Sequence, residues 1–172
     1  MPILREKEDQ NVWNFLFSVL FVALVLASIR HMYVVYGGLP QDITFFDLVL
    51  IVLAVFRLTR LFVYDMITRF VREWFVRKEI VTTEKGEMVE LTQYAKGPLR
   101  TISDLLSCPW CTGVWFALPV TYAYFMYDWA WYVILVLAVA GVATLVQITT
   151  NLIGWQAELG KMAAQAEDSK CG

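Results

Sequence analysis

The sequence predicts an all-α membrane protein of four transmembrane helices, with a cytoplasmic amphipathic helix and a small β-hairpin between spans two and three. Three observations predict it. Of the 172 residues, 59% are hydrophobic and only 17% charged, more apolar than an ordinary soluble domain, so the surplus has to face lipid. The apolar residues gather into four stretches near the roughly 20 residues a helix needs to cross about 30 Å of hydrocarbon. The lysines and arginines collect on one side of that arrangement. The length suits one compact domain, and a net charge of −2 lacks the basic excess that neutralises nucleic-acid phosphates.

Residues 1–10 read as a polar cytoplasmic tail and residues 11–64 as a hairpin of spans one and two. Span one, Val12 to Ile29, is interrupted only by Asn14, Ser18 and Ser28. Val25-Leu26-Ala27 has the form of a signal-peptidase site, but the preceding tail is not net positive and the apolar run is long, so the segment reads as a signal anchor. Arg30-His31 ends it, Tyr33 and Tyr36 suit the headgroup level, and Gly37-Gly38-Leu39-Pro40 breaks the helix. Span two, Ile43 to Tyr64, places Arg57, Arg60 and Tyr64 on one face.

Residues 65–107 form the cytoplasmic portion. In Met66 to Glu79, Ile67, Phe70, Val71, Trp74 and Phe75 recur every three or four positions, with Arg69, Arg72, Arg77 and Lys78 mostly opposite, the pattern of a basic amphipathic helix lying in the interface. Ile80 to Thr83 and Met88 to Leu91 flank Glu84-Lys85-Gly86-Glu87 as a hairpin. Gly97-Pro98 opens a short helix with an apolar stripe at Leu99, Ile102, Leu105 and Leu106. Residues 108–154 then form a second transmembrane hairpin. Span three, Pro109 to Tyr127, is kinked at Pro119, with a re-entrant segment as the alternative. Tyr124, Tyr127, Trp129, Trp131 and Tyr132 make an aromatic belt, and span four, Trp129 to Ile153, carries the small residues Ala140, Gly141, Ala143 and Thr144. Residues 155–172 read as a polar cytoplasmic tail that frays.

With both termini cytoplasmic, that side holds eleven lysines and arginines and the outside only Arg30, which sets the orientation. Cys108 and Cys111 then lie at the cytoplasmic interface, where thiols stay reduced.

Two groups of residues could carry function. Arg57 and Arg60 of span two meet, by depth, Gln147 and Asn151 of span four and nearby Asp65. Either they snorkel and pair with Asp65 or lipid, or they form an anion or lipid-headgroup site. Arg69, Arg72, Arg77 and Lys78 extend that basic face toward anionic headgroups. Cys108 and Cys111 form a CxxC with three readings. They pack as small hydrophobes at a helix start. They supply half of a four-thiolate zinc site completed by a second chain. Or they act as a redox dithiol, since a helix N-terminus favours the thiolate. No catalytic residue and no bound cofactor is expected, and one histidine leaves little for acid/base chemistry.

Arg57-Leu58-Thr59-Arg60-Leu61 followed by Asp65, Arg72-Glu73, Gly97-Pro98-Leu99 and Cys108-Pro109-Trp110-Cys111-Thr112-Gly113-Val114-Trp115 resemble the family known as domain of unknown function thirteen-sixty, from about Phe46 to the end of span four. The resemblance implies a small membrane protein of bacteria or their phages and no particular activity. The function expected is non-enzymatic: a basic face that binds anionic lipid or a partner protein, with self-association into a homo-oligomer. A thiol- or metal-dependent membrane factor and a pore or transporter component, including a phage lysis pore, are the alternatives.

Overall fold

The computed structural model describes the backbone over residues 2–40, 42–83, 86–93 and 97–168, and side chains over 10–40, 42–75 and 97–162. The order of elements is α1 (Pro2–Tyr36), α2 (Phe45–Val63), a 3-10 turn (Met66–Thr68), α3 (Arg69–Glu73), β1 (Val76–Thr83), β2 (Gly86–Gln93), α4 (Pro98–Ser107), α5 (Pro109–Met126) and α6 (Ala130–Asp168). The strands pair antiparallel with Ile80 opposite Val89.

The expectation of four transmembrane helices is corrected. Among the described residues, two helices are long and apolar enough to cross a membrane, Gln10–Tyr36 and Ala130–Met162. The physical reason lies in the other two. α2 puts Asp47, Arg57 and Arg60 into 19 residues, and α5 puts two prolines, two threonines and two tyrosines into 18. Of the described α1 side chains only Met32 is buried, so most of its apolar surface is left uncovered by the rest of the described chain, as suits membrane association more than a buried core helix.

The core lies where α2 passes between α5 and α6: Ile51, Ala54, Val120, Ala130 and Ile134. Asp47, near the start of α2, meets Tyr124 near the end of α5, and Phe62, near the end of α2, packs against Phe116 in the first half of α5 with the rings tilted, so these helices are antiparallel. α1 runs with α5, its Phe17 and Phe21 against Trp115 and its His31 Nδ1 2.6 Å from the Tyr122 hydroxyl. α6 closes on α2 at Gly141, where a Cβ would stand 2.7 Å from the Leu53 carbonyl oxygen. Glycine is what permits that approach.

Side chains fix both ends of the bundle. The Gln10 amide donates to Thr101 Oγ1 at 2.8 Å, that hydroxyl donates to Asn14 Oδ1 at 3.0 Å, and the Gly97 N–H donates to Gln10 Oε1 at 3.3 Å. This clasp ties α1 to the start of α4. At the other end Thr44 and Asp47 form a capping box on α2, satisfying two N–H groups that a bare helix start leaves unpaired. The Tyr124 hydroxyl donates to Asp47 Oδ1 at 2.6 Å. These bonds hold the Asp47 carboxyl below the usual range, the one from Tyr124 contributing most.

Three stretches differ from the sequence expectation. Residues 1–10, expected as a tail, belong to α1 from Pro2 onward, since proline suits a first helical position and the following residues are mostly good helix formers. Residues 155–172, expected to fray, continue α6 to Asp168, because Ala, Glu, Lys, Met and Gln hold a helix without tertiary help better than the loop formers a tail needs. The amphipathic helix expected to reach Glu79 ends at Glu73, and the strand β1 takes over, favoured by the β-branched Val76, Ile80, Val81, Thr82 and Thr83.

Candidate functional site

The end of the bundle that holds the α2 C-terminus and the α5 N-terminus gathers most of the residues singled out by sequence. A helix leaves its last carbonyls unpaired, and here two side chains from downstream turn back to them. Thr68 Oγ1 donates to the Leu61 carbonyl and, at 3.3 Å, to that of Asp65. The Arg72 guanidinium donates to the carbonyls of Val63, Phe62 (3.2 Å) and Asp65 (2.9 Å). Arg72 is therefore a cap, its donors directed into the protein.

That return inverts the segment. With Thr68 buried and Arg72 turned inward, the apolar side chains face out: Met66 is 75% exposed, Ile67 72%, Phe70 57% and Trp74 68%. A soluble surface helix shows the opposite arrangement. Trp110, at the start of α5, is 85% exposed.

The arginines of α2 have different surroundings. Arg57 pairs with Asp65 at 2.9 Å. Arg60 lies with its guanidinium 5.0 Å from the centre of the Tyr64 ring, a cation–π contact, and its Nε is buried with no hydrogen-bond partner. A buried unpaired donor costs about 1–3 kcal/mol. Beside it is a cavity of about 450 Å³. Val52, Val55 and Phe56 form its α2 wall, with Arg60 and Tyr64 at one end, and Pro109, Trp110 and Gly113 face them from α5.

Cys108 caps α5, with Pro109 in the first turn. The Cys111 N–H donates to Cys108 Sγ at 3.4 Å. The hydrogen bond from the Cys111 side chain, followed by that from its N–H, holds the Cys108 thiol below the usual cysteine range, and the same bond followed by burial pushes the Cys111 thiol up. Stabilising a thiolate at a helix start gives the pair an order, Cys108 being the more readily ionised. Among the described residues no group of three His, Cys, Asp or Glu side chains could hold a metal ion, so a zinc bound by Cys108 and Cys111 would need further ligands from outside them.

The structure brings Arg57 and Asp65 together but does not join them to Gln147 or Asn151. Those two bond to each other along α6 at 3.0 Å and are exposed. Arg69 pairs with Glu73 at 2.9 Å. The side chains of Arg77 and Lys78 lie outside the described residues. Sequence reasoning missed the capping role of Arg72 and Thr68, because a contact across a reversal of chain has no periodicity. It also missed the Gln10, Asn14 and Thr101 clasp, although two amides in the opening turns of an apolar helix are a signal that could have found it.

A family model described as a protein of unknown function (DUF1360) matches residues 50–150, the stretch that holds Arg57, Arg60, Asp65, Arg72 and both Cys108 and Cys111. The chain is 32% identical over 111 residues to UPF0713 protein YngL of Bacillus subtilis (strain 168), covering 64% of this chain and 82% of that relative. It is 38% identical over 103 residues to sporulation protein YjcA of the same organism, covering 58% of this chain and 86% of the relative. No solved structure matches it.

Proposed function

The chain belongs to the DUF1360 family of proteins of unknown function, and on that premise we propose that it is a non-enzymatic, membrane-resident protein whose 3-10 turn and α3 rest on a lipid surface. The observation that carries this reading is the inversion of the segment: Met66, Ile67, Phe70 and Trp74 are exposed while Thr68 and Arg72 turn inward. Four large apolar groups side by side on one short element are costly in water and suit the boundary between headgroups and acyl chains. The face of attachment is apolar, and the basic groups near it serve other partners.

This end of the bundle holds Arg69, Arg72 and Arg100, along with the α1 terminus that carries Arg5 and Lys7, whereas Arg30 lies toward the other end. The positive-inside bias assigns it to the cytoplasmic face of a bacterial inner membrane. The half of α6 beyond the bundle exposes Leu152, Ile153, Leu159 and Met162, and it is the surface we assign to a second copy or a membrane-protein partner. Sedimentation of the detergent-solubilised protein tests that assignment, a monomer at all concentrations being the contrary result.

The lipid-surface reading is tested by a nitroxide at position 67, introduced by Ile67→Cys in a background with Cys108, Cys111 and Cys171 changed to alanine, in nanodiscs. The expected result is relaxation by dissolved oxygen more than by a water-soluble nickel chelate. Dominant relaxation by the chelate would overturn the reading.

A further inference from the structure

We propose that the cavity between α2 and the start of α5 is a binding site for a single phosphate-bearing amphiphile, Arg60 taking the phosphate and the α2 wall taking an acyl chain. The inference rests on the reading that this end lies at the level of the lipid headgroups. Its first support is the state of Arg60, whose Nε is buried and unpartnered beside the cavity. Among the described residues the carboxylates at this end of the bundle pair with other arginines: Asp65 with Arg57, Glu73 with Arg69 and Asp104 with Arg100. A guanidinium with no carboxylate partner among the described residues, beside a cavity, matches a phosphate, with which it forms paired hydrogen bonds.

Two further features fit that ligand and no simple salt ion. An anion near a helix C-terminus ordinarily meets the negative end of the dipole, but here the carbonyls of Leu61, Phe62, Val63 and Asp65 are already bonded to Thr68 and Arg72. The remaining wall is mostly apolar and long: from Val52 to Arg60 is eight residue steps, about 12 Å of helix, with Val55 and Phe56 between them, Thr59 bonding its hydroxyl back to the Val55 carbonyl, and Pro109 and Trp110 opposite. A free phosphate would leave that wall empty. A lipid fills it.

The ligand chemistry could come from a membrane lipid or from inorganic phosphate, and native mass spectrometry of the full chain in detergent separates them. Phosphatidylglycerol, the phosphate-free lipid diacylglycerol and inorganic phosphate are the probes. The expected result is a one-to-one adduct with phosphatidylglycerol, weakened at least tenfold by Arg60→Gln and unaffected by Arg69→Gln. Gly113→Leu is a second variant that leaves Arg60 in place. A Cβ at position 113 meets Thr59 Oγ1 at an ordinary 3.5 Å, so the backbone accommodates it while the longer chain occupies the cavity. It too should remove the adduct, with the helical circular dichroism unchanged.

An adduct that survives both variants, equal adducts with both lipids, or inorganic phosphate binding as tightly as phosphatidylglycerol would each overturn the proposal. The nitroxide at position 67 reports lipid seating of α3 separately. Loss of the adduct in Arg60→Gln with that signal unchanged separates the cavity from the surface.

Discussion

Arg72 shows how one side chain settles the role of its neighbours. Its guanidinium replaces water at three carbonyls of the α2 terminus, and charge-assisted bonds of this kind contribute about 1.5–3 kcal/mol. Arg72→Gln should therefore lower the thermal midpoint clearly, whereas Arg69→Gln, which removes an exposed pair with Glu73, should change stability by less than about 1 kcal/mol. Melting of the two variants in one detergent checks the contrast. Cys108 gives a second expectation. Because the Cys111 side chain and N–H lower its ionisation range, Cys108 should be alkylated at lower pH than Cys111, and Cys111→Ala should move its profile upward. Mass spectrometry of iodoacetamide labelling against pH reads both.

Asp47 supplies the pH dependence. Its folded-state value lies below the ordinary carboxylate range because Tyr124 and Thr44 donate to it. A depressed group contributes stability that is present above the unfolded value near pH 4 and lost as pH falls through the folded one. The melting temperature of the native chain should fall below about pH 4, and that of Asp47→Asn should fall less over the same window.

Among the elements, α2 and α6 have the closest contact. Gly141 admits the Leu53 carbonyl, so Gly141→Leu forces the helices apart, and overpacking of this kind costs about 1–3 kcal/mol or more. Loss of thermal stability with retained helix content would show it. Sequence alone marked Gly141 as a small residue suited to close packing, but not which helix would use it. The same limit explains α3. Its apolar spacing was legible from Ile67, Phe70 and Trp74, while the direction of the face was not, because direction depends on Arg72 reaching carbonyls nine and ten residues back.

At the scale of the molecule, the apolar, membrane-associated character of the chain and the helix starts at Pro98 and Pro109 were legible in the sequence. It overstated the number of spans, because apolar content was counted without weighing the charges in α2 and the prolines in α5. It also joined Gln147 and Asn151 to the arginines by matched depth, which says nothing of rotation about a helix axis. An apolar seating surface makes a prediction for the whole protein. Raising salt from about 0.1 to 1 M shortens electrostatic reach from roughly 10 to 3 Å. The oxygen-to-nickel ratio of a nitroxide at position 67 should stay constant across that range, while seating by basic residues would weaken.

The clasp at Gln10 has a consequence for biosynthesis. Its hydroxyl partner, Thr101, is 91 positions downstream, and at roughly 5–20 residues per second a ribosome needs about 5–18 s to make that distance. Until then the first helix is without the anchor that later locks it, and it must wait in the bilayer or in the insertion machinery for the second half of the chain to arrive.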